Sequence, residues 1–413
     1  METMDRRVLH FVSGNLSGGA AKGALLLHNS LLNLGVNSFI ITSSRIKVDA
    51  PNILYLNDRF QIRLLARKIF DKLIPLMFGA QFSTPLSMGV CGMSVKELKA
   101  IIRESDIIHL HWINSGFVDL NVFAKFSNDI VWTLRDMWPF TGLCHYTHGC
   151  EKFKVHCYKC PQLASSYVFD LVDFLFKRRL AVYRKLNFKV AIGISDWISD
   201  QARSSSLLRG VPVHTISNTI DFDNFDISGP RKLARTHLGI STKCKVILIG
   251  AVNLKSPYKG LDLFIESLQS LNSEEYLIVT FGALGDKSFI KYGFKCLHLG
   301  VLNNEELREA YNAADVFVAP SKMDAFAKTV AEALACGTPV VCFDNSGPSE
   351  IVVHGLTGYH AKAFNVIDLA FGISWVCREI TGDHGRQLLR NSVLTRFSPS
   401  VLAEQYKEVY KKL

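Results

Sequence analysis

Two successive open α/β domains, each built on a parallel sheet, are predicted by three observations. Short apolar runs alternate with helical patterns along the chain. The alternation restarts from a fresh strand after a glycine-proline turn near the middle. The length of 413 residues is too great for one typical domain and comfortable for two. With 48% hydrophobic and 20% charged residues, two sizeable cores can be buried, and the composition is not that of a disordered chain.

The opening reads strand, loop, helix, strand. Residues 7–13 form a short apolar strand, 14–23 a glycine-rich loop, 24–34 a helix capped by Gly35, and 37–42 the next strand. Further β-like runs at 107–111, 130–134, 190–195 and 213–217, with helical patterns between them, argue for a parallel sheet. Residues 221–231, with Gly229-Pro230, make the linker. The second half repeats the logic: a strand at 245–250, a helix at 260–271, strands at 276–281, 315–319 and 339–343, and a helix at 329–336. Sheets of this kind bind ligands at the carboxyl ends of their strands, so a cleft between the two domains is the expected binding site.

Lysine plus arginine exceed aspartate plus glutamate by 47 to 37, a net charge of +10. That balance suits an anionic partner, and charge alone does not choose among nucleic acid, an anionic membrane face and a phosphorylated substrate. The start, Met1-Glu2-Thr3-Met4-Asp5, lacks the basic and apolar regions of a signal peptide. The longest charge-free stretch, 73–95, is interrupted by Pro75, Gly79, Pro85, Gly89 and Gly92, which makes a poor spanning helix. A cytoplasmic protein is expected, with its ten cysteines as thiols or metal ligands rather than disulfides.

The most informative segment follows an apolar strand, opens a helix and closes on a glycine-proline turn: Pro320-Ser321-Lys322-Met323-Asp324-Ala325-Phe326-Ala327-Lys328-Thr329-Val330-Ala331-Glu332, continuing to Gly337-Thr338-Pro339. Asp324 precedes the helix and Glu332 lies within it. The helix N-terminus between them offers amides and a positive dipole end to an anion. On this reading a phosphate rests on the amides of Phe326, Ala327, Lys328 and Thr329, with the Lys328 side chain near, and each carboxylate accepts from a sugar diol. The plainer reading is an N-cap aspartate followed by a solvated glutamate.

This segment resembles the acid-x7-acid signature of family 4 retaining glycosyltransferases. The resemblance implies the GT-B fold: two Rossmann-like domains facing each other across a deep cleft, with a C-terminal helix packing back on the first domain. The implied boundaries are 1–229 for an acceptor-side domain, 230–393 for a nucleotide-sugar domain and 394–413 for the returning helix. Carried over, Asp324 contacts the donor sugar and Glu332 holds the nucleotide ribose; the family more often has glutamate in the first place. Ser17-Gly18-Gly19-Ala20-Ala21-Lys22-Gly23 is similar to the family's loop bordering the cleft, which brings in Gly19. Ser346-Gly347-Pro348-Ser349-Glu350-Ile351 is similar to its late donor-side loop, which brings in Glu350. The run from Gly250 to Gly260 resembles the phosphate-binding loop, with Lys259 on the donor diphosphate. Ala251 stands where an arginine is common, and Lys255 or Asn253 is the candidate substitute.

The stretch Trp132-Thr133-Leu134-Arg135-Asp136-Met137-Trp138-Pro139-Phe140-Thr141-Gly142-Leu143-Cys144-His145-Tyr146 resembles a subset from bacterial surface-polysaccharide pathways of the colanic acid, exopolysaccharide and lipopolysaccharide type. Arg135 occupies the place of a histidine that points at the donor sugar. It is permanently charged and cannot act as a base. Asp136 is then either an acceptor-activating base or a partner of Arg135. Cys144, Cys150, Cys157 and Cys160 lie in the insert 144–160. They are read as a structural zinc site, against reduced thiols or a redox pair at Cys157 and Cys160.

The implied reaction moves a sugar from a nucleotide-diphosphate sugar to a glycan or lipid-linked glycan, with retention and with no cofactor in the chemistry. Asp221-Phe222-Asp223 invites a metal-dependent reading, but turn chemistry at the linker explains it better. Two basic amphipathic segments, 60–78 with Arg63, Arg67, Lys68 and Lys72, and 168–188 with Lys177-Arg178-Arg179, are candidates for an anionic membrane face or for packing on the protein's own sheet. Competing functions are an epimerase or sugar-phosphate synthase of the same fold, and a basic nucleic-acid-binding protein using the cysteine insert. The nucleic-acid reading leaves the acid-x7-acid segment unexplained. A dinucleotide oxidoreductase is disfavoured because Arg45 and Lys47 stand where an acidic ribose binder belongs.

Overall fold

A computed structural model describes residues 6–16, 18–80, 86–163, 170–240, 244–283, 292–380 and 383–413. The start of the chain, Ser17, part of the charge-free stretch and residues 168–169 therefore lie outside the described residues. The chain divides into two units: residues 1–219 with 399–413, and residues 220–398.

The first unit carries a seven-stranded sheet: β1 (Val8–Val12), β2 (Ser38–Thr42), β3 (Ile53–Tyr55), β4 (Ile107–Leu110), β5 (Ile130–Leu134), β6 (Phe188–Gly193) and β7 (Val213–Thr215). Its order is β3-β2-β1-β4-β5-β6-β7, with every pairing parallel. Strands β1, β4 and β5 are buried along their whole length. That is why they read as continuous apolar runs rather than alternating ones. The first helix, Gly19–Asn33, begins inside the expected glycine-rich loop, because extended Gly18 already accepts from the Lys22 amide at 2.7 Å.

The last helix, Pro399–Lys411, belongs to this first unit. Its Leu402, Ala403, Tyr406 and Tyr410 join Val8, Leu27, Leu31, Ile107 and Val131 in one core cluster. The Tyr410 hydroxyl lies 2.7 Å from His109 Nδ1, and Lys407 donates to the Leu34 carbonyl at 3.1 Å. The return of the chain is thus held by apolar burial and by named polar partners.

The second unit carries a six-stranded parallel sheet: β8 (Lys245–Asn253), β9 (Tyr276–Ala283), β10 (Lys295–His298), β11 (Val316–Ala319), β12 (Val340–Phe343) and β13 (Gly358–Ala361), in the order β10-β9-β8-β11-β12-β13. The expected helix at 260–271 is a helix at Leu261–Ser267 followed by a tighter turn at Leu268–Ser270. The boundary between the units falls at 219/220, ten residues before Gly229-Pro230. The supposed linker is packed on the second unit. Arg390 donates to the Phe225 carbonyl at 2.6 Å, Arg386 to the Gly229 carbonyl at 2.7 Å, and Asn312 to the Asp226 carbonyl at 3.0 Å. The second crossing follows Phe397, where the helix Asp383–Phe397 ends, rather than at 393.

Candidate active site

In an open parallel sheet the loops that diverge at a reversal of strand order form a crevice at the carboxyl edge. The second sheet reverses between β8 and β11. The loop after β8 ends in Pro257–Lys259 and Gly260; the loop after β11 carries Asp324. The two loops touch. Gly260 sits at φ 69°, and a Cβ there would lie 1.8 Å from the Pro320 carbonyl oxygen, so only glycine fits. This approach brings Lys259 Nζ to 2.5 Å from Asp324 Oδ2. Burial alone would lower the lysine pKa, but the Asp324 carboxylate outweighs it and holds the ammonium above its usual value. A second cross-loop pair, Lys322 Nζ to Asp262 Oδ2 at 2.5 Å, fastens the same loops.

The other oxygen of Asp324 accepts from the amides of Phe326, at 3.2 Å, and Ala327, at 2.9 Å. Two of the amides expected for a phosphate are therefore occupied by the aspartate itself. Ala327 takes a left-handed conformation, φ 57°, to start the helix Lys328–Ala335, and Lys328 and Thr329 open its first turn. The Phe326 ring is buried edge-on against Phe397. Glu332 is buried one turn further on, and its Oε2 accepts from the Tyr311 hydroxyl at 3.3 Å. The solvated-glutamate reading is thereby removed. Burial and this carboxylate push the Tyr311 phenol well up, so it stays a donor.

The loop after β12 docks on the acid loop: the Gly347 amide donates to the Asp324 carbonyl at 3.0 Å, and a Cβ on Gly347 would lie 2.5 Å from the Ala325 carbonyl oxygen. Glu350 follows in the short helix Gly347–Ile351, its carbonyl taken by Arg396. Ala251 is buried in the core, and the Lys255 side chain is exposed while its amide donates to Asn253 Oδ1 at 3.0 Å.

The first sheet reverses between β1 and β4. Around that point Arg135 donates from one terminal nitrogen to Asn218 Oδ1 at 2.6 Å and from the other to His111 Nδ1 at 3.2 Å. A guanidinium only donates, so His111 Nδ1 is bare and its Nε2 carries the proton toward His10 Nδ1, 2.9 Å away. His109 completes the cluster between Tyr410, at 2.7 Å, and Thr133, at 2.8 Å; Thr133 in turn lies 3.0 Å from the Tyr406 hydroxyl. Burial first holds all three histidines well below their usual pKa; Arg135 adds to it at each, and neighbouring imidazoles add to it at His10 and His111. Gly19 faces open space. It is Gly23 that must be glycine, since a Cβ there would lie 2.6 Å from Asn218 Oδ1 and 2.8 Å from Arg135 Nη1.

Asp136 does not pair with Arg135. It accepts from Trp112 Nε1 at 3.1 Å, the Trp138 amide at 2.9 Å and His145 Nδ1 at 2.6 Å, and His145 Nε2 continues to Ser87 Oγ at 3.0 Å. Of the two roles open to Asp136, partnership with Arg135 is therefore not realised.

The four cysteines of the insert line one small cavity with Gly142, Phe153 and Val172. None is in a disulfide. The Cys157 sulfur accepts from the Gly142 amide and that of Cys160 from the Gln162 amide. Burial raises the Cys144 thiol and pushes Cys157 up to about 12. Among the described residues, the group of three or more potential ligands drawn within 4.8 Å of one another is His10, His109 and His111. That trio is already hydrogen-bonded and faces a guanidinium, which disfavours a second cation. In the Asp-x-Asp triplet, Asp221 accepts from the Asn224 amide at 3.3 Å and side chain at 2.7 Å, which is turn chemistry.

Two parallel Rossmann-like units in succession, with the chain's last helix returned to the first, define the GT-B class of fold. Solved structures carry the same fold. A glycosyltransferase from Rickettsia africae ESF-5 superposes with TM-score 0.66 at 17% identity, covering 98% of each chain. Anabaena Alr3699/HepE, solved in complex with UDP-glucose, superposes with TM-score 0.62 at 16% identity, covering 98% of this chain and all of that one. Residues 235–381, within the second unit, match the family model for glycosyl transferases group 1. In sequence it is 24% identical over 265 residues to the Escherichia coli (strain K12) protein named as a colanic acid biosynthesis glycosyl transferase, WcaC. That alignment covers 60% of this chain and 62% of the relative.

Proposed function

We propose that the protein is a retaining glycosyltransferase of polysaccharide biosynthesis, moving a sugar from a nucleoside-diphosphate sugar to a glycan or lipid-linked glycan without a metal in the chemistry. The observation that carries the reading is the Lys259–Asp324 pair, 2.5 Å apart where the second sheet reverses, with Glu332 on the helix that follows. The pair stands in for the ligand. An arriving diphosphate takes the Lys259 ammonium, and Asp324, released from it, accepts from the sugar hydroxyls. Glu332 accepts from the ribose diol. As the glycosidic bond breaks, Lys259 and the helix N-terminus at Lys328 and Thr329 stabilise the charge gathering on the leaving diphosphate. Arg135 binds an anionic or hydroxyl-rich group on the first unit, and Asp136 positions Trp112 and His145 beside it.

Thermal unfolding with UDP, GDP, ADP and their sugars tests the reading, because a ligand bound only by the native state raises stability by mass action. A shift with one nucleotide names the base; no shift with any of them would remove the donor assignment. Product stereochemistry by NMR tests retention, and undiminished turnover in excess chelator tests the metal-free step. We also propose that the cysteine cavity contracts round a structural zinc. Stoichiometric zinc in the purified protein, lost in Cys157→Ser with a fall in melting temperature, is the expected result. Metal-free protein with full stability would overturn it.

A further inference from the structure

A ribose diol needs a carboxylate that is already in place, and glutamate is among the costliest side chains to fix in one conformation. The structure supplies a brace for Glu332. Tyr311 stands near the end of the helix Asn304–Ala313, whose start is tied by a reciprocal cap between Asn303 and Glu306. Tyr311 is fully buried. Phe225, Phe281 and Phe317 meet its ring edge-to-face, at centroid distances of 6.1, 6.0 and 5.5 Å. Packing of that kind holds the ring in one orientation. The Tyr311 carbonyl accepts from Thr338 Oγ1 at 2.6 Å, and its hydroxyl donates to Glu332 Oε2 at 3.3 Å. Tyr311 thus grips the helix Lys328–Ala335 through Glu332, and the turn after that helix through Thr338.

The partner of this hydroxyl sets it apart. Among the described residues, the other buried tyrosines are Tyr183, Tyr276, Tyr406 and Tyr410. They bond neutral groups: the Pro139 carbonyl, Ser374, Thr133 and His109. Tyr311 donates to a carboxylate, which makes a stronger bond in a buried setting. Burial and the Glu332 charge keep the phenol protonated, so the donor is always present.

We infer that Tyr311 is a positioning residue that holds Glu332 where it accepts a ribose diol, and so makes the site select ribonucleotides over 2′-deoxyribonucleotides. The inference rests on the reading of Glu332 given under the proposed function and deepens it. With one carboxylate oxygen held, a nucleotide offering both hydroxyls meets an acceptor in place. A nucleotide without the 2′-hydroxyl leaves part of that acceptor unpaired. Once the tyrosine hydroxyl is gone, the carboxylate can swing, and the difference between the two ligands shrinks.

The test is titration calorimetry of the full chain with UDP, GDP and ADP and with the 2′-deoxy form of each. The proteins compared are the parent, Tyr311→Phe, Glu332→Ala and the double variant. Tyr311→Phe keeps the ring and its packing, so the fold is retained. Tyr183→Phe is the control, since it removes a buried hydroxyl from the first unit. For the diphosphate that binds, the parent should prefer the ribose form about tenfold or more, as expected for a hydrogen bond to a charged group. In Tyr311→Phe the preference should fall to about threefold or less, through weaker binding of the ribose form. Glu332→Ala should abolish the preference, and the double variant should bind like Glu332→Ala, because Tyr311 acts through Glu332. Tyr183→Phe should keep the parent's preference whatever happens to its melting temperature. A Tyr311→Phe protein with the parent's preference, or losses that simply add in the double variant, would overturn the inference and leave the reading of Glu332 standing. A parent that binds no diphosphate, or binds both forms equally, would remove the Glu332 reading and this inference with it.

Discussion

The two sheets reverse strand order in the same way, yet the crevices at those points are built from opposite chemistry. In the second unit, between β8 and β11, charges are paired and exchangeable: Lys259 with Asp324, and Lys322 with Asp262. In the first, between β1 and β4, one permanent cation, Arg135, is held by neutral groups: Asn218, His111 and, behind it, His10. A pair of opposite charges gives up its partner when a ligand offers a better one. A guanidinium in a neutral cradle keeps its place and its charge. The second unit thus suits a ligand that arrives and leaves with a large charge change, the first a group that has to be aimed.

Substitutions at the two crevices should separate these roles. The largest effects are expected on turnover. Asp324→Ala and Arg135→Lys should each lower kcat/KM on the order of a hundredfold, the second because an ammonium cannot reproduce the fork to Asn218 and His111. Neither should weaken free nucleotide much. Lys259→Ala and Glu332→Ala should weaken it about tenfold to a hundredfold by titration calorimetry, the size expected for hydrogen bonds to charged groups. Equal nucleotide affinity in all four variants would erase the division between the crevices.

Next in size is a contrast between two glycines. Gly23→Ala forces a methyl group against the Asn218–Arg135 pair and should cost about 1–3 kcal/mol with loss of activity. Gly19→Ala meets nothing within 4 Å and should leave stability and activity near the parent's. Urea denaturation checks both. Equal behaviour would mean that Arg135 is not held as described.

What could be read from the sequence follows from where the chemistry is concentrated. Asp324, Glu332 and Lys259 are singled out through a resemblance carried by short local motifs, and the structure brings two of them, Lys259 and Asp324, to 2.5 Å from each other. Central strands were legible because burial on both faces makes them continuously apolar. Strands β3, β10 and β13 were not. All three lie at sheet edges, and their burial is partial, so their composition approaches that of loops. The Arg135 cradle was not legible either. It assembles Gly23, His111, Arg135 and Asn218 from four separate segments, and no spacing rule spans them. His109 and Tyr410 were unreadable as partners for the same reason, 301 residues apart.

The same neutral cradle predicts a pH dependence that the charge-paired crevice does not share. His10, His109 and His111 are held neutral by burial, so their folded pKa values lie below the unfolded value of about 6.5. Below that pH the unfolded chain binds protons that the native state does not, and folding stability falls as pH falls. Above it the contribution is fully present. Each imidazole adds up to about 1.4 kcal/mol per pH unit to the slope. Urea midpoints should therefore be flat above pH 7 and drop through pH 6 to 5. Tyr410→Phe removes one hydroxyl from His109 and should cost only about 1 kcal/mol at neutral pH. His109→Gln should visibly shallow the acid slope, whereas an unchanged slope would place the acid sensitivity outside the cradle.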